Sequence, residues 1–135
     1  MTEARPVLYL VDDDASVLKA MNRLFRAAGY VAETFASAEA FLKSPFQLKN
    51  AVLIVDIHMP GLSGLDLQLE LTRDGIDIPV IFITAHDNAE TREKARRAGA
   101  AAYFRKPVDA RALLDAIEWA LSAPSAFRPK KEEQP

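Results

Sequence analysis

The segment from Ala51 to Asp56 constrains the fold most, because five apolar residues end directly in a carboxylate. A continuous run of Ala, Val, Leu and Ile is typical of a strand that is buried on both faces, as in a parallel sheet. Open α/β sheets bind ligands at the carboxyl ends of their strands, and a charge there is costly unless a cation or a reaction uses it. Asp56 therefore predicts a functional site at this edge of a sheet.

Other segments predict strands that alternate with helices. The remaining strands are Val7 to Val11 before Asp12-Asp13-Asp14, Tyr30 to Phe35, Pro79 to Ile83 before Thr84, and Ala101 to Arg105 before Lys106-Pro107. The clearest helix runs from Ser16 to Gly29, and further helices are predicted from Ser37 towards Pro45, from Asp87 to Ala98 and from Ala110 to Leu121. With one more helix after Asp56, this alternation predicts an α/β fold with a doubly wound, mainly parallel sheet.

The segment from Leu65 to Leu71 carries a mixed signal. Its leucines alternate with polar residues, which taken alone is a strand pattern. Leu, Gln and Glu are good helix formers, Gly64 and Gly75 bracket the segment, and two parallel strands need a crossover between them. We therefore expect a helix here. The helix from Asp87 to Ala98 has mostly alanine to bury, so we expect it to be the least firmly docked helix.

Length and composition limit the possible functions. The 135 residues fit one globular domain over residues 1–122, followed by a flexible tail or linker over residues 123–135. The net charge of -2 predicts no direct binding of nucleic acid. No apolar run is long enough for a membrane span, the N-terminal residues do not fit a signal peptide, and cysteine is absent. We expect a soluble cytoplasmic protein.

The predicted topology brings five polar side chains to one edge of the sheet. They are Asp12, Asp13, Asp56, Thr84 and Lys106. Carboxylates crowded together repel one another, and oxygen ligands favour Mg²⁺ or Mn²⁺ as the remedy. A metal, an ammonium group and a hydroxyl group together suit a phosphoryl group. The sequence therefore predicts that Asp56 is a nucleophile that forms an aspartyl phosphate.

These residues resemble the receiver domain of two-component response regulators over residues 6–122. The motifs are Val11-Asp12-Asp13-Asp14, Asp56-Ile57-His58-Met59-Pro60-Gly61-Leu62-Ser63-Gly64, Thr84-Ala85 and Lys106-Pro107. The resemblance implies a flavodoxin-like sheet of order 2-1-3-4-5 with five helices. It also implies a phosphorylation-dependent signalling switch, in which Asp56 accepts phosphate from a sensor histidine kinase, a phosphotransferase or a small phosphodonor.

The resemblance also assigns roles by position. Asp13 would ligate Mg²⁺ directly, Asp12 more often through water, and the backbone carbonyl of His58 would complete the protein ligands around Asp56. Thr84, Ala85 and Lys106 would contact the phosphoryl group, and the Lys106–Pro107 peptide bond is expected to be cis. Thr84 and Tyr103 would form the switch. Its readout would be the surface of the fourth helix, last strand and last helix, which is also a possible homodimer interface.

Several residues leave a second interpretation open. Asp14 fits a helix N-cap better than a metal ligand, while Lys106 and Thr84 taken singly could be ordinary loop and strand-end residues. His58 and His86 could ligate metal or act as bases, but we hypothesise that they tune the lifetime of the phosphate. Trp119 lies opposite the apolar stripe of the last helix, so it either packs on the tail at Pro124 and Phe127 or contacts a partner.

A second function class also fits part of the pattern. Asp12-Asp13-Asp14 contains the Asp-x-Asp motif of haloacid-dehalogenase-like phosphatases. That family places its nucleophile on the first strand and needs further acids late in the chain, so Asp56 would be left without a role. The chain is expected to be a phosphoacceptor that modifies itself, not a turnover enzyme. It could act alone or as the amino-terminal module of a longer regulator, since no output domain fits into the remaining residues.

Overall fold

Ten elements alternate along the residues that the computed structural model describes, which are residues 5–122. The strands are β1 (Val7–Val11), β2 (Val31–Phe35), β3 (Ala51–Asp56), β4 (Val80–Thr84) and β5 (Ala102–Arg105). The helices are α1 (Ala15–Ala27), α2 (Ala38–Lys43), α3 (Gly64–Arg73), α4 (Ala89–Arg97) and α5 (Ala110–Ser122). All strand pairs are parallel, and the sheet order is β2-β1-β3-β4-β5. The predicted doubly wound, flavodoxin-like fold is confirmed.

The register of the strands places the predicted site residues at one edge. Val11 of β1 lies opposite Val55 of β3, so Asp12 and Asp56 follow at the same level of neighbouring strands. Asp56 in turn pairs with Ile83, the residue before Thr84. Because all strands run the same way, their carboxyl ends meet at this one edge.

Two apolar layers hold the helices on opposite faces of the sheet. One layer joins α2, α3 and α4 to the sheet through Phe41, Leu67, Leu71 and Ala95. The other joins α1 and α5 through Phe25, Leu113 and Ile117. All residues of the three central strands, β1, β3 and β4, are buried, which is why their sequences are nearly continuous apolar runs.

The ambiguous segment forms α3, as the crossover argument predicted. Leu67 and Leu71, four residues apart, are buried, whereas Leu69 is 60 % exposed. Burial therefore follows the helical period and not the alternation of leucines along the chain. Ser63 begins the helix with a capping box, in which its hydroxyl accepts from the Asp66 N–H and the Asp66 carboxylate accepts from the Ser63 N–H.

The other helix ends also have clear local causes. Asp14 caps α1 by accepting from the N–H groups of Ser16 and Val17, which confirms its capping role. Ser37 caps α2 in the same way. The predicted start of α4 at Asp87 is wrong by two residues, because Asn88 is in an extended conformation and its side chain caps the Thr91 N–H. Asp87 consequently lies in the loop before α4, where its carboxylate is available for hydrogen bonds with other residues.

Two predictions concern residues beyond those that the structure describes. They are the tail over residues 123–135 and the packing of Trp119 on Pro124 and Phe127. Within residues 5–122, none of the helices has both the length and the apolar character that crossing a membrane requires.

Candidate functional site

Three carboxylates converge at the carboxyl ends of β1 and β3. Asp12, Asp13 and Asp56 each offer an oxygen within 4.8 Å of the others. Asp12 is fully buried, Asp56 is 5 % exposed, and Asp13 is exposed. Buried carboxylates so close together repel one another unless positive charge compensates them. The acidic cluster therefore favours the binding of cations, as its sequence pattern predicted.

Lys106 supplies one positive charge to this cluster. Its Nζ lies 2.9 Å from Asp12 Oδ2 and 3.2 Å from Asp56 Oδ2. Burial by itself would lower the pKa of Lys106, but Asp12 and Asp56 outweigh it and the pKa is raised, so the ammonium stays charged. The lysine directly follows β5, and its backbone N–H donates to the carbonyl oxygen of Thr84 in β4 at 2.8 Å. The Lys106–Pro107 peptide bond is cis.

The environment of Asp12 fits a metal ion in addition to Lys106. Its Oδ1 accepts from the Asp14 N–H at 2.9 Å, and its buried Oδ2 has the Lys106 ammonium group 2.9 Å away as its partner. Burial raises the pKa of Asp12, and the charge of Asp56 adds to this, although Lys106 and the Asp14 N–H act in the opposite direction. One ammonium group neutralises only part of the charge of three adjacent carboxylates, and a hard divalent cation with oxygen ligands would neutralise the rest. The donor set of Asp12, Asp13 and Asp56 therefore fits Mg²⁺ or Mn²⁺.

The loop after β3 is held close to Asp56 on two sides. Asp56 Oδ1 accepts from the His58 N–H at 3.2 Å. A Cβ atom at Gly64 would lie 2.5 Å from the Asp56 carbonyl oxygen, so only glycine permits this approach of α3 to the strand. Farther along, Glu39 of α2 accepts from the Leu62 N–H at 3.0 Å. These contacts fix the path of the loop that carries the His58 carbonyl.

Thr84 presents its hydroxyl group between the two histidines. Its side chain is fully buried, and Oγ1 accepts from the His86 N–H at 3.0 Å. The same oxygen lies 3.1 Å from His58 Nδ1. The two imidazole rings meet edge to face, with centroids 5.2 Å apart and planes 85° from parallel. The histidines are exposed and cover the hydroxyl group, so the structure brings together Thr84, His58 and His86 as one cluster.

The Tyr103 hydroxyl group is hydrogen-bonded to Asp87, whereas the Thr84 hydroxyl group lies beside the two histidines. Its hydroxyl donates to Asp87 Oδ1 at 2.9 Å, and Arg92 donates to both oxygens of the same carboxylate at 2.9 and 2.7 Å. Burial, together with the hydrogen bond to Asp87, raises the pKa of Tyr103 to about 12. The hydrogen bonds from Arg92 and then Tyr103 lower the pKa of Asp87. The phenol is therefore a stable donor and the carboxylate a stable acceptor near neutral pH.

Sequence reasoning missed two of these contacts. Glu39 and Leu62 are 23 residues apart, and Asp87 and Tyr103 are 16 apart, on different elements. No helical or strand period links such positions, and the spacing of Asp87 and Arg92 matches neither i,i+3 nor i,i+4. The indication that the sequence does offer is Asp87 itself, because this acid directly precedes the N-cap residue Asn88 and is not needed as a cap.

Two predicted site residues have exposed positions. Ala85 directly follows Thr84 and is exposed. Trp119 is 48 % exposed on α5, while Leu113 and Ile117 of the same helix are buried. The predicted orientation of Trp119 away from the apolar stripe of α5 is therefore confirmed.

Comparisons with known proteins agree with this geometry. The family model described as the response regulator receiver domain matches residues 8–118. The chain is 44 % identical over 121 residues to the response regulator protein TmoT of Ectopseudomonas mendocina, covering 90 % of this chain and 55 % of TmoT. It is 33 % identical over 133 residues to the transcriptional regulatory protein FixJ of Azorhizobium caulinodans, covering 98 % of this chain and 62 % of FixJ.

Solved structures give the same assignment. The crystal structure of FixJ-N superposes with a TM-score of 0.81 at 32 % identity, covering 92 % of this chain and 98 % of that one. The response regulator StyR also gives a TM-score of 0.81, at 42 % identity, covering 87 % of this chain and 60 % of StyR. This chain spans about half the length of the first curated relatives that it matches. It belongs to the response regulator receiver domain family, the phosphorylation-dependent signalling switches of two-component systems.

Proposed function

We propose that Asp56 is the phosphoacceptor of this switch. The observation that carries the proposal is the position of its nearly buried carboxylate, 3.2 Å from Lys106 Nζ and within the cluster of Asp12 and Asp13. A carboxylate with two acids and one ammonium group beside it has a ready site for a phosphoryl group and a cation. The expected donor is a phosphohistidine of a sensor histidine kinase or phosphotransferase, or a small phosphodonor.

The transfer is a displacement at phosphorus. An oxygen of Asp56 attacks the phosphorus atom, the bond from phosphorus to the donor's imidazole nitrogen breaks, and the imidazole leaves with that electron pair. Lys106 lies beside the attacked position and neutralises charge on the phosphoryl oxygens. Asp12, Asp13, Asp56 and the backbone carbonyl of His58 would hold Mg²⁺ or Mn²⁺, which supplies further neutralisation of the phosphoryl charge when bound.

Thr84 and Tyr103 are proposed to convert the new charge into a change of surface. The Thr84 hydroxyl, which lies 3.1 Å from His58 Nδ1, would leave this partner and donate to the phosphoryl group, joined there by the backbone of Ala85. Tyr103 would then turn inward and fill the space that Thr84 vacates. The result is an altered surface of α4, β5 and α5, a local electrostatic event that biases a two-state element.

His58 and His86 are proposed to set the lifetime of the aspartyl phosphate. Both rings are exposed, lie edge to face and cover Thr84, so they are well placed to screen or guide the water that hydrolyses the phosphate. The test is the rate of autodephosphorylation after both are replaced by alanine. An unchanged lifetime would contradict this role.

The wider roles of the chain are proposals of the same kind. The relatives named above include a transcriptional regulatory protein, and this chain spans 62 % of it. We propose that phosphorylation acts on a partner or output region through the surface of α4, β5 and α5, with Trp119 as a contact and a homodimer as one possible assembly. The predicted cytoplasmic location and the absence of direct nucleic-acid binding remain predictions.

The phosphatase alternative predicts a different nucleophile. Turnover of a generic phosphate ester with loss on mutation of Asp12 would support it, whereas a receiver modifies itself only once per chain. The family assignment lends that alternative no support. We therefore propose that self-phosphorylation and autodephosphorylation are the only reactions of this chain.

The decisive experiment is intact-mass spectrometry after incubation with acetyl phosphate, with and without Mg²⁺. The unaltered chain should gain one phosphoryl group only with the metal, and Asp56→Asn should gain none. Asp14→Asn is the matched control, because asparagine also caps helices and Asp14 has only this capping role. Equal labelling of Asp56→Asn, or no labelling of the unaltered chain where a known receiver is labelled, would refute the proposal.

A further inference from the structure

Tyr103 belongs to a compact polar cluster formed by three separate elements. Asp87 comes from the loop between β4 and α4, Arg92 from α4 and Tyr103 from β5. The carboxylate receives three hydrogen bonds, two from Arg92 Nη2 at 2.9 and 2.7 Å and one from the Tyr103 hydroxyl at 2.9 Å. The Arg92 guanidinium carbon also lies 6.0 Å from the centre of the Tyr103 ring.

This cluster has the features of a specific contact and not of a loose surface pair. The Asp87 side chain is only 17 % exposed although the Arg92 side chain is 60 % exposed. Charge-assisted hydrogen bonds of this length are the strong ones, and neither partner of the Tyr103–Asp87 bond changes its charge near neutral pH. The backbone beside Asp87 is fixed as well, because Asn88 caps α4 through the Thr91 N–H.

The cluster also lies on the segment that connects the switch residues. Asp87 follows Thr84 by three positions, and His86, between them, donates its N–H to the Thr84 hydroxyl. Among the described residues of α4, Ala95 is the fully buried side chain, so the apolar attachment of this helix is small. The bonds to Asp87 therefore add a polar connection among the loop after β4, α4 and β5.

We infer that Asp87 and Arg92 are positioning residues that hold the Tyr103 hydroxyl at the start of α4 and so oppose its inward movement. This inference rests on the proposed function, in which Tyr103 moves when Asp56 is phosphorylated. An interaction made in only one of two states shifts the equilibrium towards that state. The bonds to Asp87 therefore weaken the response of the domain to phosphorylation until they are broken.

The test is the affinity for beryllium trifluoride in the presence of Mg²⁺, followed by NMR titration of backbone amides. This anion binds a carboxylate oxygen as a mimic of the phosphoryl group, so it draws the domain to the phosphorylated state. Asp87→Ala should bind it about three- to tenfold more tightly, since the hydrogen bond to be broken is gone. Tyr103→Phe, which keeps the ring and loses the hydroxyl, should bind more tightly by a similar factor.

The double variant tests whether Asp87 and Tyr103 act through the same hydrogen bond. If the two residues act through one bond, Asp87→Ala together with Tyr103→Phe should bind no more tightly than either single variant. Arg92→Lys, which keeps the charge and loses the guanidinium Nη2 donor, should have a smaller effect than Asp87→Ala. Arg96→Ala is the matched control on α4, because Arg96 pairs with Glu93 and should leave the affinity unchanged.

The outcomes separate this inference from the proposed function. If the unaltered chain binds beryllium trifluoride and Asp87→Ala binds it equally or more weakly, the positioning role is wrong and the phosphoacceptor role stands. If the unaltered chain does not bind it, the proposed function fails. In that case NMR titration of the Tyr103 ring still tests the contact, since Asp87→Ala should lower its pKa from about 12, and an unchanged pKa overturns the bond itself.

Discussion

Helices α4 and α5 precede and follow β5 in the chain and cover opposite faces of the sheet, but they are attached in different ways. The 13 residues of α5 bury Leu113, Ile117 and Ala120 against the sheet. The nine residues of α4 bury only Ala95 to the same degree. Burial of large apolar side chains is the main source of tertiary stability, so α5 is anchored by its core contacts whereas α4 is not.

The ion pairs of α4 lie within the helix. Glu93 pairs with Arg96 and Arg97, and Glu90 pairs with Lys94, all on its exposed face, so these pairs stabilise the helix itself and do not attach it to the sheet. Gln68 of α3 also donates to the Ala98 carbonyl oxygen at 3.2 Å. Such contacts can break and re-form at little cost, because water replaces them readily.

The difference assigns separate tasks to the two parts of the domain. The acidic cluster and Lys106 are attached to strands that are buried on both faces, so their geometry is rigid. The adjoining α4 can shift without opening a large cavity, because little apolar surface would be exposed. A rigid site beside a weakly attached helix suits a chemical event that must be converted into movement.

The largest effect that tests this comparison is expected in α5. Ile117→Ala removes a fully buried side chain and should lower the free energy of unfolding by about 2–5 kcal/mol. Urea denaturation followed by circular dichroism measures this loss. Asp115→Ala, an exposed change on the same helix, is the control and should stay within about 0.5 kcal/mol of the unaltered chain. A loss below 1 kcal/mol for Ile117→Ala would show that α5 is not anchored by its apolar contacts.

A smaller effect is expected at the equivalent buried position of α4. Ala95→Gly should cost about 1 kcal/mol, because glycine is a poor helix former and only one methyl group is lost from the core. Hydrogen exchange measured residue by residue should show faster opening of α4 with little change in α5. If the backbone amides of α5 became equally labile, the two helices would form one cooperative unit and the comparison would fail.

Much of this architecture follows from local sequence. The buried runs of β1, β3 and β4 predict central parallel strands, and the polar residue that ends each of them predicts the edge where the site lies. Asp14 and Ser37 predict their caps, because a side-chain acceptor before an apolar stripe has a local use. In α3, helix propensity and the need for a crossover outweighed a misleading alternation of leucines.

The rest depends on contacts between elements that no period connects. The bond between Glu39 and the Leu62 N–H fixes the loop beside Asp56, and the bonds of Asp87 fix Tyr103, yet each joins residues far apart in the chain. The start of α4 was misplaced for a related reason, since Asp87 and Asn88 are both good cap residues and the sequence offered no preference between them. The backbone conformation settles the choice in favour of Asn88.

The smallest expected effect is the pH response of Glu93 in α4. The hydrogen bond from Arg96, with that from Arg97, lowers the pKa of Glu93 from 4.5 to about 2. A carboxylate with a depressed pKa stabilises the folded state fully above its unfolded pKa and loses this contribution as the pH falls through its folded pKa. The contribution of Glu93 should therefore be complete above pH 4.5 and decline towards pH 2.

NMR titration of the Glu93 carboxyl carbon measures this directly, with a midpoint expected near 2. Replacing Arg96 and Arg97 by glutamine should move the midpoint back towards 4.5, whereas Lys94→Gln should not, because Lys94 pairs with Glu90. In α5 the Asp109 carboxylate accepts from the Ala112 N–H at 2.8 Å, so acid also affects the start of that helix, and the response of α4 is therefore measured at Glu93 itself. A midpoint near 4.5 in the unaltered chain would mean that these ion pairs are not formed in solution, and that α4 lacks this local stabilisation.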